Sequence, residues 1–239
     1  MSRPACLVAL AALAFALALP APPAHAAKEK GRKTDLVWTA PDFAVYGVKS
    51  IAMLPVATYD KSLAAERAVT GLWGQNFKDA GYRWISAQTA REILRSTLGD
   101  STLTLLADGI LKDVRVDSLI APVVCAKLRA DAVLSVRVEQ WEQQPILWNQ
   151  SGKPTTSVQL RAALVDSTGT LLWNASGGET GEGAYHDPST NPIAVSSSNL
   201  ENTPVTGQGG PPAYDEVLNR LLLRWAPQFP KPAAPAPAK

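Results

Sequence analysis

The sequence predicts a single α/β domain, a mixed β-sheet with packed helices in the order β-α-β-α-α-β-β-β-α. Three observations predict it. The run Ser50-Ile-Ala-Met-Leu-Pro-Val-Ala57 is short and apolar on both faces, as a buried strand is. Between residues 62 and 112 the apolar residues recur at helical spacing, and from Ala132 the period falls to two. No internal repeat at a fixed period accompanies these patterns.

Taken in order, the first strand ends near Pro55, where a lost N–H matters less, and the turn-like Thr58-Tyr59-Asp60 follows it. Ala65, Val69, Leu72, Trp73, Asn76, Phe77 and Ala80 then share a helical face, with Ser62 as N-cap and Gly81 just past the end. Tyr82-Arg-Trp-Ile85 reads as a short strand. Ser86 caps a helix whose Ala90, Ile93, Leu94 and Thr97 face one way before Gly99 stops it. Residues 101–112 and 117–129 read as two further helices, the second with Asp117 as cap and Ile120, Val123, Val124 and Leu128 inward, weakened by Pro122.

Ala132, Leu134, Val136 and Val138 alternate against Val133, Ser135, Arg137 and Glu139, which predicts one buried and one wetter face. Val158, Leu160, Ala162 and Leu164 repeat the pattern, and Asp166-Ser-Thr-Gly169 turns the chain into Leu171-Leu-Trp-Asn-Ala-Ser176. Asp at the first and Gly at the fourth position suit a type I turn followed by a left-handed residue. After Pro211-Pro212, the residues Tyr214, Val217, Leu218, Leu221, Leu222 and Trp225 form an amphipathic helix that Pro227 ends.

The ends predict where the chain works. A basic start at Arg3, an apolar block from Cys6 to Leu19 and the small-x-small site Ala24-His-Ala26 make residues 1–26 a cleavable export signal. The block is shorter than the roughly 20 residues that cross a bilayer, so an uncleaved anchor is the weaker alternative. Cys6 lies at the front of the block instead of just after it, so no lipid anchor is expected. Residues 27–47, with Lys28, Lys30, Arg32 and Lys33, read as a mobile leader, 48–227 as the domain and 228–239 as a disordered Pro/Ala tail.

Cleavage would leave one of the 2 Cys and one of the 2 His, Cys125 and His186. That inventory builds neither an internal disulfide nor a zinc site from the usual ligands, so no metal or cofactor is expected. The formal net charge of +2 does not suggest nucleic acid as a partner. His186 sits in a polar, Pro- and Gly-flanked stretch without a Gly-x-Ser-x-Gly elbow, and reads as a loop histidine. Cys125 reads as a small buried apolar residue.

The glycines of Gly177-Gly-Glu-Thr-Gly-Glu-Gly183 lack phosphate-loop spacing and read as a flexible loop or a fraying strand end. Glu139 and Glu142, three apart on a strand, are expected on opposite faces, unable to pair as acid and base. Asn149-Gln-Ser151 and Asn174-Ala-Ser176 match the glycosylation sequon, a pattern short enough to arise by chance. Trp141, Trp148 and Trp173 offer either core packing or a sugar-stacking platform. No catalytic constellation is recognisable, and the chain is not expected to be an enzyme.

Three stretches carry a family likeness: Ile51-Ala-Met-Leu-Pro-Val56, Leu128-Arg-Ala-Asp-Ala-Val-Leu134 and Ala163-Leu-Val-Asp-Ser-Thr-Gly-Thr-Leu-Leu-Trp173. In this order, over residues 48–180, they resemble uncharacterised bacterial envelope lipoproteins. These are related in fold to the periplasmic domains of the curli secretion channel and of the lipoprotein activators of penicillin-binding proteins. The resemblance implies an α/β sandwich that binds other envelope proteins or itself, with no catalytic residues to carry over. The missing lipobox cysteine departs from that pattern and favours a soluble periplasmic form.

The expected function is therefore that of a non-enzymatic periplasmic accessory or assembly protein, possible association with the outer membrane included. The alternative is a carbohydrate-binding or carbohydrate-active cell-wall protein. Residues 181–211 form a long polar connection with one apolar island, Pro192, Ile193, Ala194 and Val195, the expected partner-binding segment by strand addition.

Overall fold

The computed structural model describes residues 35–190, 204–206 and 209–232. The chain divides into units 1–32 and 33–239, and only the second contains described residues. Ala24, Ala26 and Pro192 to Val195 lie outside them.

Seven strands form one mixed sheet: β1 (Leu36–Thr39), β2 (Ser50–Met53), β3 (Ala57–Thr58), β4 (Arg83–Ile85), β5 (Ala132–Gln144), β6 (Thr155–Asp166) and β7 (Leu171–Glu182). Their spatial order is β1-β7-β6-β5-β2-β4, with β3 also paired to β5. β2 lies parallel to β4 and β5, whereas β5, β6, β7 and β1 run antiparallel in succession. Five α-helices are described: α1 (Leu63–Phe77), α2 (Ala87–Leu98), α3 (Asp100–Lys112), α4 (Ala121–Leu128) and α5 (Tyr214–Trp225). The α/β class with a mixed sheet is thus as predicted. Three helices separate β4 from β5, at the three places where the spacing predicts helices, one more than the order written for the fold class counts.

Local signals set these elements. The Ser62 hydroxyl accepts the Ala65 N–H at 3.3 Å and starts α1, and Gly81 closes the following turn at φ 88°. The Ser86 hydroxyl accepts the Thr89 N–H at 3.2 Å and starts α2. Pro122 falls in the first turn of α4, where no helical hydrogen bond is lost, so the segment is helical after all, starting at Ala121 instead of 117. Val123 points outward, contrary to expectation, while Val124, Cys125 and Leu128 are buried.

Two cores lie on the two faces of the sheet. On one face α1 and α5 pack Ala65, Val69, Trp73, Phe77, Leu218, Leu221, Leu222 and Trp225 against Leu134, Val136, Leu160 and Leu164. The indoles of Trp73, Trp173 and Trp225 meet edge-on with centroids 6.3–6.4 Å apart. On the other face α2, α3 and α4 pack Leu94, Leu106, Ile110, Val124 and Leu128 against Leu54, Val133 and Val165. Residues 132–138 are consequently all buried, and the expected wetter face of Val133, Ser135 and Arg137 is corrected: a second helical layer covers it.

The domain is longer at both ends than expected. Within the stretch read as a leader, β1 pairs with β7 in the register Leu36↔Ser176 to Thr39↔Trp173, and the Ala40 N–H donates to the Leu172 carbonyl at 2.9 Å. Arg224 fixes its start by donating from Nε to the Asp35 carboxylate at 2.7 Å. At the other end Phe229, assigned by the sequence to the tail, is buried with its ring edge-on to Trp173 at 4.9 Å and Phe77 at 5.1 Å.

β7 continues to Glu182, so the glycine run is strand up to its last residue, Gly183, and neither loop nor frayed end before it. The reason is close packing by α5. A Cβ on Gly181 would stand 2.7 Å from Val217 Cγ2 and 2.6 Å from Arg220 Nη2, and one on Gly177 would stand 2.2 Å from Asp35 Oδ1. Of the long connection, Val205 is buried and donates its N–H to the Ile146 carbonyl at 2.7 Å, while Gly152 and His186 exchange main-chain hydrogen bonds. Its described parts are therefore attached to the 145–153 connection.

Candidate functional site

The second helical layer stops before the sheet does. Beyond α3 and α4 the same sheet face carries Gln140, Glu142, Ser157, Gln159, Arg161, Asn174, Ser176 and Thr180, all exposed or half-buried, and ends on β1 with Leu36 and Trp38. These two side chains are 70% and 44% exposed, whereas Val37 on the opposite face packs against the first core. The fold thus leaves an open polar half-face with an apolar edge without a layer among the described residues.

A charge network marks the boundary. Arg137, nearly fully buried, donates from Nη1 to the Leu111 carbonyl at 2.8 Å, completing the C-terminus of α3, and from Nη2 to Glu139 at 2.5 Å. Arg161 Nε lies 2.8 Å from the same Glu139 oxygen, and Gln159 Nε2 donates to the other at 2.9 Å. The Tyr59 ring lies 5.9 Å from the Arg137 guanidinium, with its hydroxyl donating to Leu111 at 3.2 Å. One carboxylate thus serves two guanidinium groups, and the cluster locks the edge of the helical layer to the sheet.

The pairing of β5 with β6 shifts between Val138 and Gln140, a bulge that changes which residues share a face. Glu142 pairs opposite Ser157 and so joins Glu139 on the open face, contrary to the expectation of opposite faces. They still form no acid/base pair by hydrogen bonding: Glu139 is held by its arginines, and Glu142 accepts from Gln140 at 3.0 Å.

The other sequence-derived candidates are dispersed. His186 Nε2 lies 3.0 Å from the Trp148 carbonyl and its ring meets the Trp148 indole edge-on at 5.0 Å, a contact that pins the connection. Asp187 turns back on Ser189. Cys125 is buried, and that burial pushes its thiol up to about 11, the opposite of an activated nucleophile. Trp173 is in the core and Trp141 stacks on Tyr214 at 4.3 Å, so the three tryptophans form no common platform. Among the described residues no group of three or more His, Cys, Asp or Glu is placed to hold a metal ion, and no helix is long and apolar enough to cross a membrane.

A cleft of about 240 Å³ lies between α3 and the loop 113–120, lined by Leu105, Leu106, Gly109 and Arg115 among others. Asp131, within the family-like phrase, accepts from the N–H groups of Lys49 and Ser50 at 3.0 and 2.8 Å and from the Ser50 hydroxyl at 2.8 Å. It joins the start of β5 to the start of β2, a structural role.

No protein-family model matches the chain, and no curated protein matches it in sequence. Solved structures with a similar backbone include the PelC dodecamer from Paraburkholderia phytofirmans, 16% identical over 82% of this chain and 96% of that one, at a TM-score of 0.42. Lipoprotein GNA1162 from Neisseria meningitidis is 19% identical over 62% of this chain and 93% of its own, at 0.44. The hypothetical protein CT253 from Chlamydia trachomatis is 13% identical over 76% and 95%, at 0.41.

Proposed function

We propose that this chain is a non-enzymatic accessory or assembly protein of the cell envelope, exported to the periplasm and acting through protein–protein contacts. The observation that carries the reading is the sheet face left open beyond α3 and α4, bounded by the apolar edge of Leu36 and Trp38. A rigid sheet with hydrogen-bonding side chains on its face and two exposed hydrophobes on its rim offers a partner orientation and burial together. The export signal at residues 1–26 supplies the compartment, and Pro192 to Val195 supply a second contact by strand addition.

Crosslinking of the exported protein in its native envelope, followed by identification of what is captured, tests this. The reading expects specific protein adducts, reduced when residues 191–203 are replaced by a Gly/Ser linker. Unchanged capture would remove that segment from the proposal. A saturable tryptophan-fluorescence change with cell-wall glycans, and no protein adduct, would replace it with the carbohydrate reading.

A further inference from the structure

The two edges of the sheet are treated differently. At one edge β4 has three residues, carries the charge of Arg83, and adjoins the C-terminal segment: the Tyr82 hydroxyl donates to the Pro230 carbonyl at 3.0 Å, and Gly81 lies against Pro232. At the other edge β1 is uncharged from Leu36 to Thr39, contains no proline, and pairs on one side only among the described residues. Short strands, charge, proline and covering segments are how proteins keep edges from pairing with other chains, and β1 has only its shortness.

The Ala40 N–H points to β7, so by alternation the main-chain groups of Val37 and Thr39 point away from it, toward the open edge. We propose that this edge pairs with β1 of a second copy of the chain, antiparallel about a two-fold axis through Val37. The strand is self-complementary in that register. Val37 of each copy exchanges main-chain hydrogen bonds with Val37 of the partner subunit. On the open face Trp38 lies directly across from Leu36 of the partner subunit, and Leu36 from the partner's Trp38, an aromatic–aliphatic pair made twice. No like charges meet, because Thr39 falls opposite Asp35 of the partner subunit, whose carboxylate is held by Arg224 in its own chain. The two open half-faces then join into one continuous surface, which deepens the protein-contact reading and rests on it.

The test is association of the full exported chain by sedimentation, with hydrogen exchange read residue by residue across the same concentrations. The expected result is a reversible dimer between about 1 µM and 1 mM, with protection of the Val37 and Thr39 amides rising in step. Val37→Pro removes one outward N–H without touching the β7 ladder and should abolish dimerisation at an unchanged monomer melting temperature. Should that proline loosen β1 itself, Trp38→Lys decides, since it leaves the main chain intact and should weaken association at least tenfold. A chain monomeric throughout, or one whose association ignores both substitutions, overturns the proposal. Protection of Val37 and Thr39 that appears only on adding envelope extract would give the edge to another protein and likewise overturn self-pairing. A monomer that still captures envelope proteins would leave the protein-contact reading standing, so the two failures are distinguishable.

Discussion

The first half of the β5–β6 hairpin and its second half are made of the same two strands but live in different surroundings. From Ala132 to Val138, opposite residues 160–166, α1 and α5 cover one face and α2 to α4 the other, so nearly every side chain there is buried. From Gln140 to Gln144, opposite 155–159, only the first face is covered and the second is polar. Strand pairing continues through both, so the sheet does not need the second layer to persist. The second layer buries that face of the first half, and among the described residues no helix covers the same face of the second half.

The largest predicted effect falls on what both halves share. Leu221→Asp puts a carboxylate into the core that α1 and α5 build on the sheet and should cost more than the about 2–5 kcal/mol of a Leu→Ala change, against a total stability of about 5–15 kcal/mol. Thermal unfolding followed by circular dichroism should lose its cooperative transition.

An equivalent pair of substitutions separates the two halves. Val133→Asp, on the second face under α4, should destabilise by about 3 kcal/mol or more, as a buried unpaired charge does. Ser176→Asp, on the same face beyond the helices and opposite Arg161, should stay within about 0.5 kcal/mol. Similar denaturation midpoints for the two would mean that the open half-face is not open.

A smaller effect separates two kinds of glycine. Gly181→Ala must push Val217 and Arg220 away from β7 and should cost about 1–3 kcal/mol. Gly74→Ala in α1, where an added Cβ meets nothing, should stabilise by up to about 1 kcal/mol.

These positions also show where sequence reading stops. The caps Ser62 and Ser86 and the period-two runs are local, and they place most elements. β1 was hidden because its pairing with residues 173–176 is remote in sequence and Leu36–Thr39 is too short to show a period. Gly177 to Gly183 read as a loop because glycine weakens a strand locally, while the helix that demands glycine there lies a long connection away. Alternation distinguishes faces but does not count layers, so it leaves the burial of Val133 and Arg137 undisclosed. The bulge after Val138 reversed the side of Glu142, and no residue type announces it. Of the open surface, alternation along β6 reveals Ser157, Gln159 and Arg161, but it reveals neither Glu142 and Thr180 nor the rim on Leu36 and Trp38.

The smallest effect is on pH dependence. Burial raises the Asp131 carboxyl, but hydrogen bonds from the Ser50 hydroxyl and the Lys49 and Ser50 amides, with Arg83 nearby, outweigh it and hold its pKa below the ordinary value. That stabilisation is complete above the unfolded carboxyl value of about 3.9 and is lost as pH falls through the lower folded value. Asp131→Asn should therefore unfold at lower urea than the wild type at pH 7, with the gap closing toward pH 2.

The central claim is that the sheet face beyond α3 and α4 is the working surface, and site-specific photo-crosslinking in the native envelope tests it most directly. A photoreactive residue is placed at Ser157 or Ser176 on the open face and, separately, at Glu92 or Lys127 on the exposed sides of α2 and α4. The account predicts discrete protein adducts, with a second copy or with another envelope protein, from the first pair and none from the second. Adducts from the helical positions with none from Ser157 and Ser176 would contradict it.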